Sequence, residues 1–169
     1  MKQDAIRLLQ LMGFPVIEAK AEAEAQCVQL VKEKKARAVA SDDMDCLTFG
    51  AETLVRGIKT KKEPVTEICL ADVLKELGLT MDQFIDFCIL CGCDYCDAIE
   101  NVGPVKAFNF IKEHKTIETV LEHIQRENKE KEEAGKQQFV LPSPENFNYQ
   151  MARDLFRHPD VHIGLEDVG

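Results

Sequence analysis

Apolar residues recur at helical spacing near the start of the chain. Ile6, Leu8, Leu9, Leu11 and Met12 form a stripe that stops at Gly13, a residue suited to a left-handed cap, so an amphipathic helix is predicted there. "FPVIEA" (14–19) reads as a short strand. "AEAEAQCVQLVKEKK" (21–35) reads as a helix, with acids in its first turn and lysines in its last, as the helix dipole prefers. "ARAVAS" (36–41) reads as a second strand, and strand, helix and strand in this order predict a parallel unit with a right-handed crossover. Residues 51–64 predict a short strand and a turn carrying Arg56, Lys59, Lys61 and Lys62. "VTEICLADVLKELGL" (65–79) passes from strand to helix.

From Thr80 the pattern is helical. Thr80 and Gln83 have capping-box spacing ahead of an apolar run that ends at Gly92. Gly103 followed by Pro104 predicts a tight turn with proline at a first helical position. "TIETVLEHIQ" (116–125) and "YQMARDLF" (149–156) supply further helices. Between them, residues 128–138 are charged and lack apolar periodicity, which predicts a solvated loop.

The chain has 169 residues, 45% hydrophobic and 30% charged, enough for one moderate core or a core with a small satellite. No stretch approaches the roughly 20 apolar residues of a membrane span, and the opening residues are too polar for a secretory signal. Seven cysteines, an odd number, suit a reducing compartment and thiols in place of a disulfide framework. The expected setting is intracellular. A net charge of -9 disfavours a uniformly basic nucleic-acid surface but is compatible with local basic patches beside an acidic site.

The candidate chemistry is acidic: Glu22 with Glu24, Asp43 with Asp45, and Asp94. Residues i and i+2 of a regular helix lie about 200° apart, so Glu22 and Glu24 converge only at an irregular helix entry. Asp43 and Asp45 share a side if the backbone stays extended. Both pairs follow strands, at the sheet end where α/β proteins place ligands. One reading makes these acids ordinary caps and solvated charges, and Asp42 is read as such a bystander. The other makes them a cage, because crowded carboxylates need a counter-cation, and oxygen ligands without histidine suit magnesium or manganese.

"LLQLMGFPV", "EAKAEAEAQC", "ASDDMDCLTFG" and "LCGCDYCDAIENVGPVKA", in this order, resemble the internal nuclease and helix-hairpin-helix regions of the flap endonuclease family of structure-specific nucleases. The resemblance implies an α/β fold. Residues 1–70 would form a partial parallel-sheet, PIN-like nuclease core, 71–127 a helix-hairpin-helix module, and 128–169 a charged loop with an incomplete C-terminal segment. It implies that Glu22 and Glu24 help bind one magnesium and that Asp43, Asp45 and Asp94 help bind a second, with manganese able to substitute. Glu22, Gly92 and Asp94 would also lie against DNA, as would Gly103 and Lys106 of the hairpin. Two ions about 4 Å apart would activate a water and stabilise the leaving oxygen of a phosphodiester. The implied activity is 5′ flap endonuclease and 5′–3′ exonuclease action on branched DNA in replication and repair, in the nucleus or the mitochondrion.

The family's N-terminal region, with two further aspartates and a helical arch, has no counterpart here, nor does its sliding-clamp-binding tail. A truncated form with impaired activity is therefore expected; the alternative is a non-catalytic DNA-binding or interaction fragment. The hairpin also departs from the family pattern, with Asn101 at its first glycine and Val105 at a basic position. Asn tolerates a left-handed backbone, so the turn can survive with a weaker phosphate grip. Cys88, Cys91, Cys93 and Cys96 have knuckle-like spacing, but Cys88 and Cys91 fall on an apolar stripe where cysteine packs as a small hydrophobe, and Cys93 stands where the family commonly has serine.

Overall fold

The computed structural model describes residues 1–58, 64–135 and 137–164. The backbone divides into two units: Met1–Leu70 together with the segment from Pro159, and Ala71–His158.

In the first unit, α1 (Lys2–Leu11) closes where its apolar stripe stops. Gly13 takes φ +80°, its amide donates to the Gln10 carbonyl at 3.0 Å, and the Phe14 amide donates to the Leu9 carbonyl at 2.9 Å. These are the paired bonds of a Schellman motif. No residue of α1 is buried, and Leu8, Leu11, Met12 and Phe14 are exposed. Residues 14–19 form no strand, contrary to the pattern. Pro15 lacks an amide for a ladder, and Pro15, Ile17 and Ala19 instead line a cavity of about 350 Å³ with the next helix. That helix, α2 (Ala23–Lys32), buries Ala25, Val28 and Val31. Gln26 is buried with them because both ends of its amide are used: Nε2 donates to the His162 carbonyl at 3.1 Å, and Oε1 accepts from the His162 amide at 2.7 Å. The last described segment is thereby fastened to α2.

Three strands follow: β1 (Val39–Ala40), then after the four-residue α3 (Asp45–Thr48), β2 (Thr53–Arg56) and β3 (Thr66–Cys69). Their order is β1-β2-β3, with β1 and β2 parallel and β2 and β3 antiparallel. The parallel pairing expected between 14–19 and 36–41 is absent, since 14–19 forms no strand; β1 pairs in parallel with β2 instead, across the stretch from Ser41 to Glu52 containing α3, and the sheet is mixed. The expected short strand is β2, which takes in Arg56 as its last residue, while Lys59, Lys61 and Lys62 lie outside the described residues. Leu47 and Leu54 are essentially inaccessible to water, and α2 packs on α3 and β1 around them. Each such leucine contributes about 1.5–3 kcal/mol of burial.

The second unit is helical: α4 (Leu70–Leu77, entering from the first unit), α5 (Met81–Cys91), α6 (Pro104–His114), α7 (Ile117–Glu133) and α8 (Tyr149–Arg157). The Thr80–Gln83 capping box forms in both directions, with Oγ1 of Thr80 accepting from the Gln83 amide at 3.3 Å and Oε1 of Gln83 accepting from the Thr80 amide at 3.0 Å. Against the polar pattern, α7 runs on through residues 128–133. Lys131 Nζ lies 2.9 Å from Glu127 and His123 Nε2 lies 3.2 Å from it, both at i,i+4 spacing. Asn128 receives the Phe139 amide and donates to its carbonyl, each at 2.8 Å, so the helix has something to hold.

α5 packs on α6 and α8. Among these helices sits one buried carboxylate. Asp86 accepts from Arg153 Nε at 2.8 Å and Nη2 at 2.9 Å, and from the Ile117 amide at 3.1 Å, the first turn of α7. Arg153 also bridges Glu118 at 2.9 and 3.1 Å, and these hydrogen bonds hold the Glu118 carboxyl below its ordinary range. Removing one partner of a buried pair strands the other. Asp86→Ala should therefore lower the unfolding free energy by about 3–5 kcal/mol in urea titrations. Asp86→Ala combined with Arg153→Met should cost less than the two single changes added together, because neither charge is then left alone.

Candidate metal centre and nucleic-acid interface

Glu22 is the N-cap of α2, extended at φ −72° and ψ 126°, and its carbonyl accepts from the Gln26 amide at 3.1 Å. Its carboxylate makes no capping bond and is exposed. Glu24, in the first helical turn, is half-buried. The two acids thus straddle the change from extended to helical backbone, the irregular entry that their spacing requires.

Asp43 lies on the loop from β1 to α3, and Asp45 is the first residue of α3. The Ser41 amide continues the ladder to the Val55 carbonyl at 3.1 Å, and then the chain leaves the sheet. Ser41 Oγ accepts from the Asp43 amide at 3.1 Å, and Asp43 Oδ1 accepts from the Asp45 amide at 2.9 Å. Met44 is already helical at φ −76° and ψ −15°, so the backbone does not stay extended between the aspartates. Asp43 instead turns its side chain over the start of α3. Asp42 has a structural task that its polarity did not reveal: Oδ1 accepts from the Gly57 amide at 3.1 Å, fastening the loop to the end of β2. Ser41 and Asp42 are the residues that sequence reasoning missed. A serine two positions before an aspartate at a strand end is the available signal, since such hydroxyls take nearby amides.

Behind the half-buried Asp45, the chain buries Cys46, Leu47, Thr48 and Phe49 completely or nearly so. The Lys32 ammonium donates to the Phe49 carbonyl at 3.1 Å, tying α2 to the end of α3. Burial pushes the Cys46 thiol up to about 11; a hydrogen bond with Ser41 opposes this, and the charges of Glu24 and Asp43 add to it. Desolvation and then Glu24 likewise raise the Cys27 thiol. One buried sulfur therefore feels an acid from the α2 entry and an acid from the β1–α3 loop. Among the described residues, no three or more His, Cys, Asp or Glu side chains are gathered into a group that could hold a metal ion.

Asp94 belongs to the second unit and is exposed in the turn after α5. Gly92, at φ +108°, ends that helix with its amide on the Ile89 carbonyl at 3.1 Å. Cys93 and Cys96 pair across the turn with their sulfurs 3.8 Å apart. The hydrogen bond with Cys93, then burial, raises the Cys96 thiol, and burial alone pushes Cys91 up to about 11. Cys88 and Cys91 sit half-buried on α5.

In the hairpin, Asn101 takes the left-handed conformation at φ +66°, and Gly103 caps α6 with Pro104 in its first turn. A Cβ on Gly103 would meet nothing within 4 Å. Lys106 is exposed, but its ammonium donates to the Asn101 carbonyl at 2.8 Å and stands 5.1 Å from the centre of the Phe139 ring. Lys131 covers the same ring at 3.9 Å. The hairpin keeps its turn and commits its lysine partly to its own backbone.

The XPG I-region family model matches residues 13–94, a stretch that holds all five acids. Flap endonuclease 1-2 of Paramecium tetraurelia is 52% identical to this chain over 167 residues, covering 98% of it and 42% of the relative. The flap endonuclease-1 of Methanococcus jannaschii has the same fold with a TM-score of 0.77 at 27% identity, over 98% of this chain and 46% of that one. The catalytic core of Rad2 in complex with DNA substrate matches in fold with a TM-score of 0.80 at 24% identity, over 99% of this chain and 56% of that one. The chain spans about 42% of the length of the curated relative.

The raised Cys46 thiol has a consequence for stability. From its ordinary 9.0 to about 11, the unfolded chain loses this proton while the folded chain keeps it. Its contribution is fully present below pH 9.0 and is lost as pH rises through about 11. Denaturation at stepped pH should show stability falling across that window, and Cys46→Ala should make the fall shallower.

Proposed function

This chain belongs to the flap endonuclease family, and from that membership we propose that its acidic centre serves magnesium-dependent cleavage of branched DNA at 5′ flaps. The supporting observation is that Glu24 and Asp43, from separate elements, both load the buried Cys46 sulfur. One acid of each pair thus acts on that sulfur, and the buried thiol keeps its proton, which leaves oxygen donors for a hard ion. Glu22 and Glu24 would hold one magnesium, and Asp43, Asp45 and Asp94 a second. Bound ions of this kind lower the pKa of an attacking water and neutralise the leaving oxygen.

The chain's own part is to hold those acids still. Ser41 and Asp43 fix the backbone at Asp45 through consecutive amide bonds, and Asp42 fastens their loop to β2. The buried run from Cys46 to Phe49 anchors the loop from beneath, so a carboxylate cannot relax away from a cation without unpacking apolar surface. At the hairpin, Gly103 leaves room for a phosphate to approach the first turn of α6. Lys106 supplies weak positive charge, since it is shared with the Asn101 carbonyl. The proposed setting is replication and repair in the nucleus, with the mitochondrion as a second location.

Two measurements test the reading. At a manganese or magnesium concentration a hundred times its dissociation constant, the chain should gain about 2.7 kcal/mol of stability, and Asp45→Asn should abolish the gain. An equal gain in the variant would remove Asp45 from the site. For catalysis, a 5′-flap substrate with magnesium should be given to the chain alone and to the chain joined to the part of the Paramecium relative outside the aligned stretch. The joined protein should cleave, and Asp94→Ala should slow it by about a hundredfold or more. Undiminished cleavage by that variant would sink the assignment.

A further inference from the structure

We propose that Cys93 and Cys96 form a redox-active dithiol, a modification site that reacts with low-molecular-weight disulfides and closes reversibly around Asp94. The two residues are antiparallel bridge partners across a turn, and their sulfurs stand 3.8 Å apart. Bridge partners in antiparallel geometry have Cα atoms about 4.5–5.5 Å apart, within the range a disulfide accepts. Closing the bond to about 2.05 Å therefore asks for side-chain rotation and little movement of the backbone. Gly92, at φ +108°, ends α5 just before the pair, so Cys93 and Cys96 face each other across a turn as bridge partners.

Access and context agree with this assignment. Both residues are half-buried, so a small disulfide can reach them. Cys46, by contrast, is completely buried. Between the two sulfurs lie exposed Asp94 and half-buried Tyr95, whose ring meets Phe156 edge-on at 5.1 Å. Tyr95 anchors the turn while Asp94 stands on its outer side, and a closed ring would constrain both. This inference goes beyond the nuclease reading and does not need it, because its readout is covalent.

The chemistry balances with glutathione disulfide as oxidant. One protein sulfur, as its thiolate, attacks a sulfur of glutathione disulfide, forming a mixed disulfide and expelling a glutathione thiolate. The second protein sulfur gives up its proton, attacks the first and expels the second glutathione thiolate. Two protein thiols are oxidised, one glutathione disulfide is reduced, and the two released protons leave with two molecules of glutathione.

The test places the intact chain, without denaturant, in glutathione buffers stepped from reduced to oxidised, followed by acid quench, alkylation and peptide mass spectrometry. The peptide holding residues 93–96 should lose two hydrogens and both alkylation sites, and dithiothreitol should restore them. Cys93→Ser and Cys96→Ser should each stop at one glutathione adduct on the remaining sulfur. Because the folded turn holds the sulfurs together, the chain should close at about tenfold less glutathione disulfide than a peptide of residues 92–97. Alkylation of both sulfurs in the most oxidised buffer would overturn the proposal, as would a persistent glutathione adduct on the parent chain. Closure no easier than in the peptide would overturn it as well.

Discussion

Two parallel strands, β1 and β2, are joined by only the residues from Ser41 to Glu52, and most of the first unit follows from how that connection is made. A parallel pair needs a crossover of about a dozen residues or more, so this one has no slack. The chain fills it with a loop pinned at Ser41, Asp42 and Asp43, then one turn of helix that buries Cys46, Leu47 and Thr48. The crowding of aspartates beside an apolar run is the visible result. Acids occupy the side of the crossover that faces water, and Cys46, Leu47 and Phe49 occupy the side that faces α2 and the sheet.

That arrangement couples electrostatics to packing. Charges on the loop and on the α2 entry act on a sulfur that cannot reach water, and the thiol answers by holding its proton. The same burial that makes Cys46 inert makes the loop above it stiff.

The helical unit is organised by a different device. Asp86 is charged chemistry in a position where apolar packing would be expected, and it earns its place by meeting Arg153 and the first amide of α7 at once. Three helices are thereby set relative to one carboxylate. α7 then extends past its last buried residue because Asn128 grips Phe139 and Lys131 covers the Phe139 ring, contacts that reward a helical backbone where no apolar stripe does.

Features that depend on neighbours in the chain were legible from the chain. The cap at Gly13, the capping box at Thr80, the proline start of α6 and the left-handed Asn101 are local conformational choices, set by the presence or absence of a Cβ, an amide or a short polar side chain. The positions of the acids in the chain follow from the pattern too: Glu22 and Glu24 flank the start of α2, and Asp43 and Asp45 flank the start of α3. Features that depend on a partner were not. Residues 14–19 read as a strand but pack as irregular chain beside α2; 128–133 read as loop but are helix; Asp42 read as a bystander but holds Gly57. In each case local propensity was weak, within about a kilocalorie per residue, and a contact made in three dimensions outweighed it. The meeting of Cys93 with Cys96 belongs to the same class: their spacing is written in the sequence, but the turn after Gly92 that makes them bridge partners, with sulfurs 3.8 Å apart, is seen only in three dimensions.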